Sequence, residues 1–313
     1  MKENKNKVIL IIVIILLVIA LGIGAYKIFA KKEDKNKNVN PQNNENSQIL
    51  PTKEEIEKAQ PTELVEYGIN SIPSADELTK DSKKFFKDLL NAYQGFNGKH
   101  QIGIIVSNEH TNYNTLLKKY KDDEYSKNIF LEVQKYITSN NDYLKQIKVI
   151  NPQKSPLVYV VDQKLYEQAY KELWGEDKTV DYTINKLIAE FGGIRKSDDK
   201  VLLYGGATGF EGSGYDGDFM EVTDYKIDGD YLIANVKYLS VVFEKDEIDF
   251  YKDIEHKYLI KHDFELQDKI TELQEEEIWN YYKKFDDERG TYKLKFKKSS
   301  NNKYYWVETD YVG

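Results

Sequence analysis

A glycine-rich stretch, GGATGFEGSGYDGDF from Gly205 to Phe219, has the residue spacing closest to a known chemical motif. It holds six of the 18 glycines of the 313-residue chain. Within it, Gly212 to Gly217 matches G-x-G-x-x-G, which binds a dinucleotide phosphate when a strand enters the motif and a helix leaves it. The residues after Gly217 are β-branched and aromatic, as in a strand. We therefore expect the stretch to connect two strands of an antiparallel sheet, and we predict no cofactor.

Acidic side chains in the same stretch suggest calcium as a second possibility. Asp216 and Asp218 lie there together with Glu211. Calcium takes six or more oxygen ligands, and no D-x-[DN]-x-[DN]-G run supplies them. We therefore predict no metal site, and keep Asp216 and Asp218 as candidate binding residues of an acidic loop.

The histidines and serines form no recognisable catalytic arrangement. His256 and His262 are predicted on one face of a strand about 20 Å apart, too far to share a metal ion. His110 follows Glu109 and has the chemistry of a general base, but no nucleophile motif accompanies it. Ser213 lacks the G-x-S-x-G context of a nucleophile elbow. The catalytic residues, if there are any, are therefore unknown.

Aromatic residues offer a different kind of chemistry. The chain has 25 tyrosines and three tryptophans, and aromatic rings stack on sugars or anchor protein partners. If Tyr305, Val307 and Tyr311 point inward in the terminal strand, strict alternation turns Tyr304 and Trp306 outward. We therefore predict Tyr304 and Trp306 as binding residues.

The N-terminus predicts a membrane anchor. The run from Val8 to Tyr26 carries no charge, and its length of about 28 Å as a helix matches the hydrocarbon core of a bilayer. A cleaved signal peptide has a shorter apolar core, and a lipoprotein needs a cysteine, which the chain lacks. We assign residues 1–30 to an uncleaved transmembrane anchor and residues 31–60, rich in Asn, Lys and Gln, to a disordered linker.

Topology and partners follow from the charges. More lysines follow the span than precede it, which by the positive-inside rule favours a cytoplasmic domain. Because large domains behind a short basic leader are usually exported, we expect the C-terminal domain to be extracytoplasmic and keep the cytoplasmic topology open. The first 40 residues are basic, so the rest of the chain carries about −13, which excludes nucleic acid as a partner.

Hydrophobic periodicity predicts an α+β fold. Residues 61–153 are predicted to be mainly helical, with a capping box at Ser74–Glu77 and a short buried strand over residues 102–107. Residues 154–313 are predicted to form an α+β part with an antiparallel sheet. The elements expected there are a strand at 157–161, helices from Asp162 to Gly175 and from Asp181 to Phe191, a hairpin turn at Asp228-Gly229, a strand from His256 to Leu266, a helix from Thr271 to Phe285 and a terminal hairpin.

Two stretches also carry a resemblance. LYEQAYKELWGED, residues 165–177, and TYKLKFKKSSNNKYYWVETDYV, residues 291–312, resemble uncharacterised single-span extracytoplasmic proteins of low-GC Gram-positive bacteria. The resemblance implies a location in the cell membrane and no activity.

The sequence thus favours a membrane-anchored binding or interaction module of the cell envelope. Its partners are the membrane, through the N-terminal helix, and an envelope protein or glycan. The alternative is a hydrolase of envelope polymers that uses an Asp/Glu pair, which the sequence does not identify because such residues are distant in the chain.

Overall fold

The structure is a computed structural model. It describes residues 51–66, 68–93, 105–119, 129–150, 157–182, 187–188, 192–204, 217–243, 248–263, 285 and 288–313. The predicted span from Val8 to Tyr26 and most of the predicted linker lie outside these residues. Within the described ranges, no helix is both long enough and apolar enough to cross a membrane.

Six α-helices and one 3-10 helix are present among the described residues. They are α1 (Lys53–Glu57), the 3-10 helix (Ala75–Glu77), α2 (Ser82–Asn91), α3 (Tyr113–Lys119), α4 (Ile129–Ser139), α5 (Asn141–Leu144) and α6 (Gln163–Trp174). A capping box of Thr52 and Glu55 starts α1. The folded unit therefore begins at Pro51, which shortens the linker predicted to reach residue 60.

The strands form two sheets. Within each sheet, every pair of neighbouring strands is antiparallel. They are β1 (Gln60–Pro61), β2 (Thr111–Asn112), β3 (Lys148–Ile150), β4 (Val158–Asp162), β5 (Leu187–Ile188), β6 (Gly192–Ser197), β7 (Lys200–Tyr204), β8 (Gly217–Asp228), β9 (Tyr231–Phe243), β10 (Ile248–Tyr251), β11 (Leu259–Asp263), β12 (Gly290–Lys298) and β13 (Tyr304–Tyr311). The first sheet has the order β1-β3-β4-β7-β6-β5, and the second has the order β11-β10-β9-β12-β13-β2 with β8 on β9. The predicted α+β class with antiparallel pairing and a terminal hairpin is confirmed.

One apolar core joins the two sheets through the helices. It contains the buried faces of α2, α4 and α6 together with inward residues of β7, β9, β12 and β13. Helix α6 contacts β4 and β7 of the first sheet and β13 of the second. The helices and both sheets therefore pack around the same core.

The local sequence of helix α6 accounts for its buried face, its start and its end. Tyr166, Ala169 and Leu173 are buried at helical spacing, as predicted, whereas Leu165, predicted with them, is only partly buried and Tyr170 is buried in addition. The helix starts after Asp162, although this side chain makes no cap hydrogen bond and instead pairs with Lys200. It ends at Gly175, whose φ of 116° is a conformation that L side chains rarely adopt.

Three predicted elements differ from the structure. Ser74 caps only the 3-10 helix, and α2 starts later, where Asp81 accepts a hydrogen bond from the Lys84 N–H at 3.0 Å. Ile105 and Val106 are buried but form no strand. Leu187 and Ile188, predicted to be helical, pair as a strand with Gly193 and Gly192, because an apolar run this short fits either structure and the neighbouring strand decides.

A turn replaces the first half of the strand predicted from His256 to Leu266. The fully buried Asp253 carboxylate accepts the backbone N–H groups of Glu255, Lys257 and Tyr258 at 3.2, 3.0 and 2.7 Å. These bonds wind the chain, and His256 takes a φ of 54°. Of the described residues in this stretch, Leu259–Asp263 form a strand, and residues 264–266 lie outside the described ranges. Of the helix predicted from Thr271 to Phe285, all residues but the last lie outside the described ranges.

Candidate functional site

Two cavities meet at Tyr305, between the end of α6 and the β12–β13 hairpin. One has a volume of about 410 Å³ and the other about 370 Å³, and Tyr305 lines both. The stretches 165–177 and 291–312, singled out in the sequence, supply most of the lining residues of both cavities. We call the larger one the carboxylate cavity and the smaller one the aromatic cavity, after the side chains described below.

Gly175 holds Tyr305 in place between the cavities. A β-carbon at Gly175 would lie 2.8 Å from Cε2 of the Tyr305 ring, which is closer than real β-carbon contacts. The absence of a side chain therefore lets the ring rest directly on the end of α6. The same glycine thus ends the helix and makes room for the ring.

The register of the second sheet places Tyr231, Lys297 and Tyr305 in one row. Lys297 of β12 is the partner of Tyr231 on β9 and of Tyr305 on β13. Cross-strand partners project from the same face of a sheet, and adjacent strands lie about 4.8 Å apart. Two half-buried tyrosines therefore flank one lysine, with about 10 Å between the two outer backbones.

The predicted outward direction of Tyr304 and Trp306 is wrong. The two side chains are only 3% and 1% exposed. The Trp306 backbone N–H donates to the Tyr93 hydroxyl at 2.9 Å, and its indole N–H donates to the Thr309 hydroxyl at 2.9 Å. Trp306 pairs with the inward residue Phe296, and partners share a face, so Trp306 points inward too.

A β-bulge explains why simple alternation fails in β13. The register shifts between Lys295 and Phe296, whose partners are Glu308 and Trp306, so Val307 is the extra residue. One alternation therefore cannot describe both halves of the strand. Although buried, Tyr304 lines the carboxylate cavity and Trp306 lines the aromatic cavity.

Five aromatic side chains line the aromatic cavity. They are Tyr113, Trp174, Tyr231, Tyr305 and Trp306, and they are joined by Val307 and by the polar residues Asn112, Asn114, Asp177, Lys178, Lys297 and Glu308. The rings of Trp174 and Trp306 meet edge to face, with centroids 5.9 Å apart. Trp174 is 1% exposed, and its indole N–H has no hydrogen-bond partner among the described residues. Buried polar groups are rarely left unpaired, so this donor indicates an interaction still to be made.

Neighbouring groups compensate the charges around the aromatic cavity. Lys178 binds Asp177 at 2.6 Å, and a hydrogen bond from Lys178 lowers the pKa of Asp177. Lys295 binds Glu308 at 2.9 Å, and a hydrogen bond to Glu308 raises the pKa of Lys295. The cavity itself is lined by two lysines and two acidic residues, so it offers no net charge to a ligand.

The carboxylate cavity is built around Glu172. Its carboxylate accepts hydrogen bonds from the hydroxyl groups of Tyr136 at 3.1 Å and Tyr143 at 2.9 Å, and Lys303 lies 3.5 Å away. Burial, and secondarily the charge of Glu172, raises the pKa of both tyrosines, so both remain donors. Glu167 and Glu176 also line the cavity, together with Lys164, Gln168, Lys171, Ser299, Asn301, Tyr304 and Tyr305.

The glycine-rich stretch lies mostly outside the described residues, including Asp216. Its flanking strands β7 and β8 belong to different sheets, which corrects the prediction that it joins two strands of one sheet. Strand β8 begins at Gly217, so no helix follows the motif, as predicted. Asp218 is the β8 partner of Ser240.

Two of the histidines, His110 and His256, are engaged with other groups. His110 Nδ1 lies 2.7 Å from Asp310, and not against its neighbour Glu109 as the sequence suggested. His256 Nε2 lies 2.9 Å from the buried Ser240 hydroxyl. Across the ranges that the structure covers, no group of three or more His, Asp or Glu side chains is placed to hold a metal ion.

Sequence reasoning missed Trp174, Tyr231 and Tyr305 as the rings of a site. For Tyr305 the sequence did hold a signal. Tyr292, Leu294 and Phe296 alternate with lysines, which fixes the inward face of β12 and places Lys297, the hairpin partner of Tyr305, on the other face. Pairing of Lys297 with both tyrosines depends on long-range register, which no local pattern contains. No family model, no curated protein and no solved structure matches this chain.

Proposed function

We propose that the protein is a membrane-anchored extracytoplasmic binding module of the cell envelope, whose ligand occupies the aromatic cavity. The observation that carries this proposal is the cavity itself, a concave site of about 370 Å³ with five aromatic rings and an unpaired indole N–H. Ligand sites are typically concave, mainly apolar and equipped with a few polar groups. The aromatic cavity has these properties.

The uncharged run from Val8 to Tyr26 supports the anchor. The acidic remainder of the chain is repelled by anionic lipid, so it adds no electrostatic attraction to the membrane surface. We place this domain outside the cell, with a cytoplasmic domain as the competing topology.

Protease treatment of intact cells tests the location. The full chain, tagged at its C-terminus, is expected to lose the tag when protease is added outside, while a cytoplasmic marker protein survives. Cells opened with detergent provide the control that the tag is cleavable. Survival of the tag in intact cells and its loss in opened cells would place the domain in the cytoplasm.

Retention on purified envelope material tests the binding role. We expect the full chain to bind this material and Tyr231→Ala to weaken the binding. The control is Tyr225→Ala, because Tyr225 is an accessible tyrosine of the same sheet that lies on β8 and lines neither cavity. Equal retention of the two variants would contradict a role for the aromatic cavity.

A hydrolase of envelope polymers is the second candidate function, favoured by the carboxylate cavity. Glycoside hydrolysis commonly uses two carboxylates as acid and base, and three glutamates line this cavity. Each is already engaged, since Glu172 binds two tyrosines, Glu176 accepts the Ser300 N–H at 3.0 Å and Glu167 accepts from Gln163 at 2.7 Å. We therefore rank hydrolysis second. Polymer cleavage that Glu176→Gln abolishes without unfolding the protein would reverse this order.

A further inference from the structure

We infer that the aromatic cavity binds a neutral saccharide, which stacks on Tyr231 and Tyr305 and hydrogen-bonds at the cavity edge. This inference rests on the proposed binding function and adds the chemical class of the ligand. It follows from the arrangement of the rings, the balance of charge and the polar groups that are still available.

The rings of Tyr231 and Tyr305 suit a flat, partly apolar ligand, which would stack on the face of Tyr231 opposite the Lys295 ammonium group. Tyr231 and Tyr305 project from the same face of the sheet on either side of Lys297, and both are half-buried. Fixed backbones and packing keep the rings in place, so binding costs little side-chain entropy. The Tyr305 ring is further immobilised against Gly175.

The charge balance disfavours ionic ligands. Asp177 is paired with Lys178, and Glu308 is paired with Lys295. The ammonium group of Lys178 also lies 5.2 Å from the centroid of the Tyr113 ring, and that of Lys295 lies 4.7 Å from the centroid of the Tyr231 ring. A phosphate or carboxylate would add negative charge beside Asp177 and Glu308, and Lys297 is the lining lysine that has no ion pair with a described residue to receive it, whereas a neutral ligand leaves all of these interactions intact.

Two polar groups remain to bind the edge of such a ligand. The side-chain amide of the exposed Asn114 offers a donor and an acceptor, and it forms no hydrogen bond with a described residue. The indole N–H of Trp174 is a buried donor that lacks an acceptor among the described residues. A buried donor without an acceptor is destabilising, so a ligand oxygen that accepts from it gains affinity. A sugar ring combines an apolar face for stacking with hydroxyl groups at its edge, which matches both requirements.

Calorimetric titration of the full chain in lipid nanodiscs with a neutral N-acetylglucosamine tetramer tests the inference. We expect saturable binding that Tyr231→Ala weakens by about fivefold to tenfold, the loss of one aromatic contact. Asn114→Ala is expected to weaken it as well, whereas Tyr225→Ala leaves it unchanged. Because the cavity is charge-balanced, we expect less than about a twofold change in affinity between low and high salt.

A second arm separates the inference from the proposed function. A neutral peptide of similar size is titrated alongside, and each variant is tested for retention on envelope material. If retention depends on Tyr231 but the tetramer does not bind, the saccharide inference is overturned and the binding module stands. If the peptide binds in place of the tetramer, the ligand class is wrong. If neither retention nor tetramer binding depends on Tyr231, both proposals fail.

Discussion

Trp306 and Tyr231 line the same cavity but differ in what supports them. Trp306 is 1% exposed, lies against Trp174 and uses both of its N–H groups in hydrogen bonds. Tyr231 is half-buried, and its ring contacts the ammonium group of Lys295. Trp306 is therefore part of the core, whereas Tyr231 can contact a ligand and contributes little to the stability of the fold.

Trp306→Ala should cost about 3–5 kcal/mol of unfolding free energy, because it removes a buried ring and the indole hydrogen bond to Thr309. Tyr231→Ala should cost less than about 1.5 kcal/mol, since its ring is only half-buried. Urea denaturation of both variants measures the difference. Equal midpoints would show that Trp306 is not a core residue.

The sequence pointed to the right strand, β13, but predicted the wrong outward side chains, Tyr304 and Trp306. The abundance of aromatic residues in β13 correctly drew attention to this hairpin. The inward direction of Trp306 depends on its pairing with Phe296, and the extra residue Val307 changes the alternation. A bulge is set by tertiary pairing, so the local pattern could not show it.

Strand β13 needs its bulge so that both of its halves can face the core. Its first half places Tyr304 and Trp306 inward, and its second half places the fully buried Thr309 inward. Val307 lies between the halves and allows both to face the core. Because three positions separate Trp306 from Thr309, the same sequence paired without a bulge would turn one of the two to the opposite face.

Deletion of Val307 removes the bulge and leaves Trp306, Glu308 and Thr309 in plain alternation, so Trp306 and Thr309 both still face the core and the melting temperature should fall by only a few degrees. The substitution Val307→Ala keeps the number of residues and should cost less than about 1 kcal/mol, since the side chain is half-buried. Thermal unfolding followed by circular dichroism compares the two. A collapse of the melting temperature on deletion of Val307, with Val307→Ala close to the parent protein, would show that Val307 is not the extra residue.

Elements set by local signals were predicted well. Helix α6 has regular apolar spacing and a terminal glycine, and the Asp228-Gly229 turn joins β8 to β9 with Gly229 at a φ of 59°. Elements set by distant partners were not. The turn around Asp253 forms through a buried carboxylate that also accepts from Asn108 at 2.6 Å, a contact between residues 145 positions apart.

Across the molecule, buried tyrosines make the free energy of unfolding decrease at alkaline pH. Burial is the largest cause that raises the pKa of Tyr93, Tyr136, Tyr143, Tyr166, Tyr170 and Tyr292. In the folded state these hydroxyl groups keep their protons, whereas in the unfolded chain they titrate near pH 10. The stabilisation is therefore complete below pH 10 and is lost as the pH rises above it.

We expect cooperative alkaline unfolding, with stability falling by about 1.4 kcal/mol per pH unit for each such tyrosine above pH 10. Tyrosinate absorbance and circular dichroism should change together in one steep transition. Tyr166→Phe should make the transition less steep, because one fewer group releases a proton on unfolding. A gradual rise in tyrosinate absorbance near pH 10 with an intact circular dichroism spectrum would contradict this expectation.

The hydrogen bond from the Trp306 N–H to the Tyr93 hydroxyl spans 213 positions of the chain, and β13 is also the partner of β2. These contacts have a consequence for the order of events during synthesis. The ribosome must complete the last strand before the ring of Trp306 can enter the core, and contacts this distant in sequence form slowly. The nascent domain therefore stays open until late in synthesis, which is compatible with the proposed export of the chain before it folds.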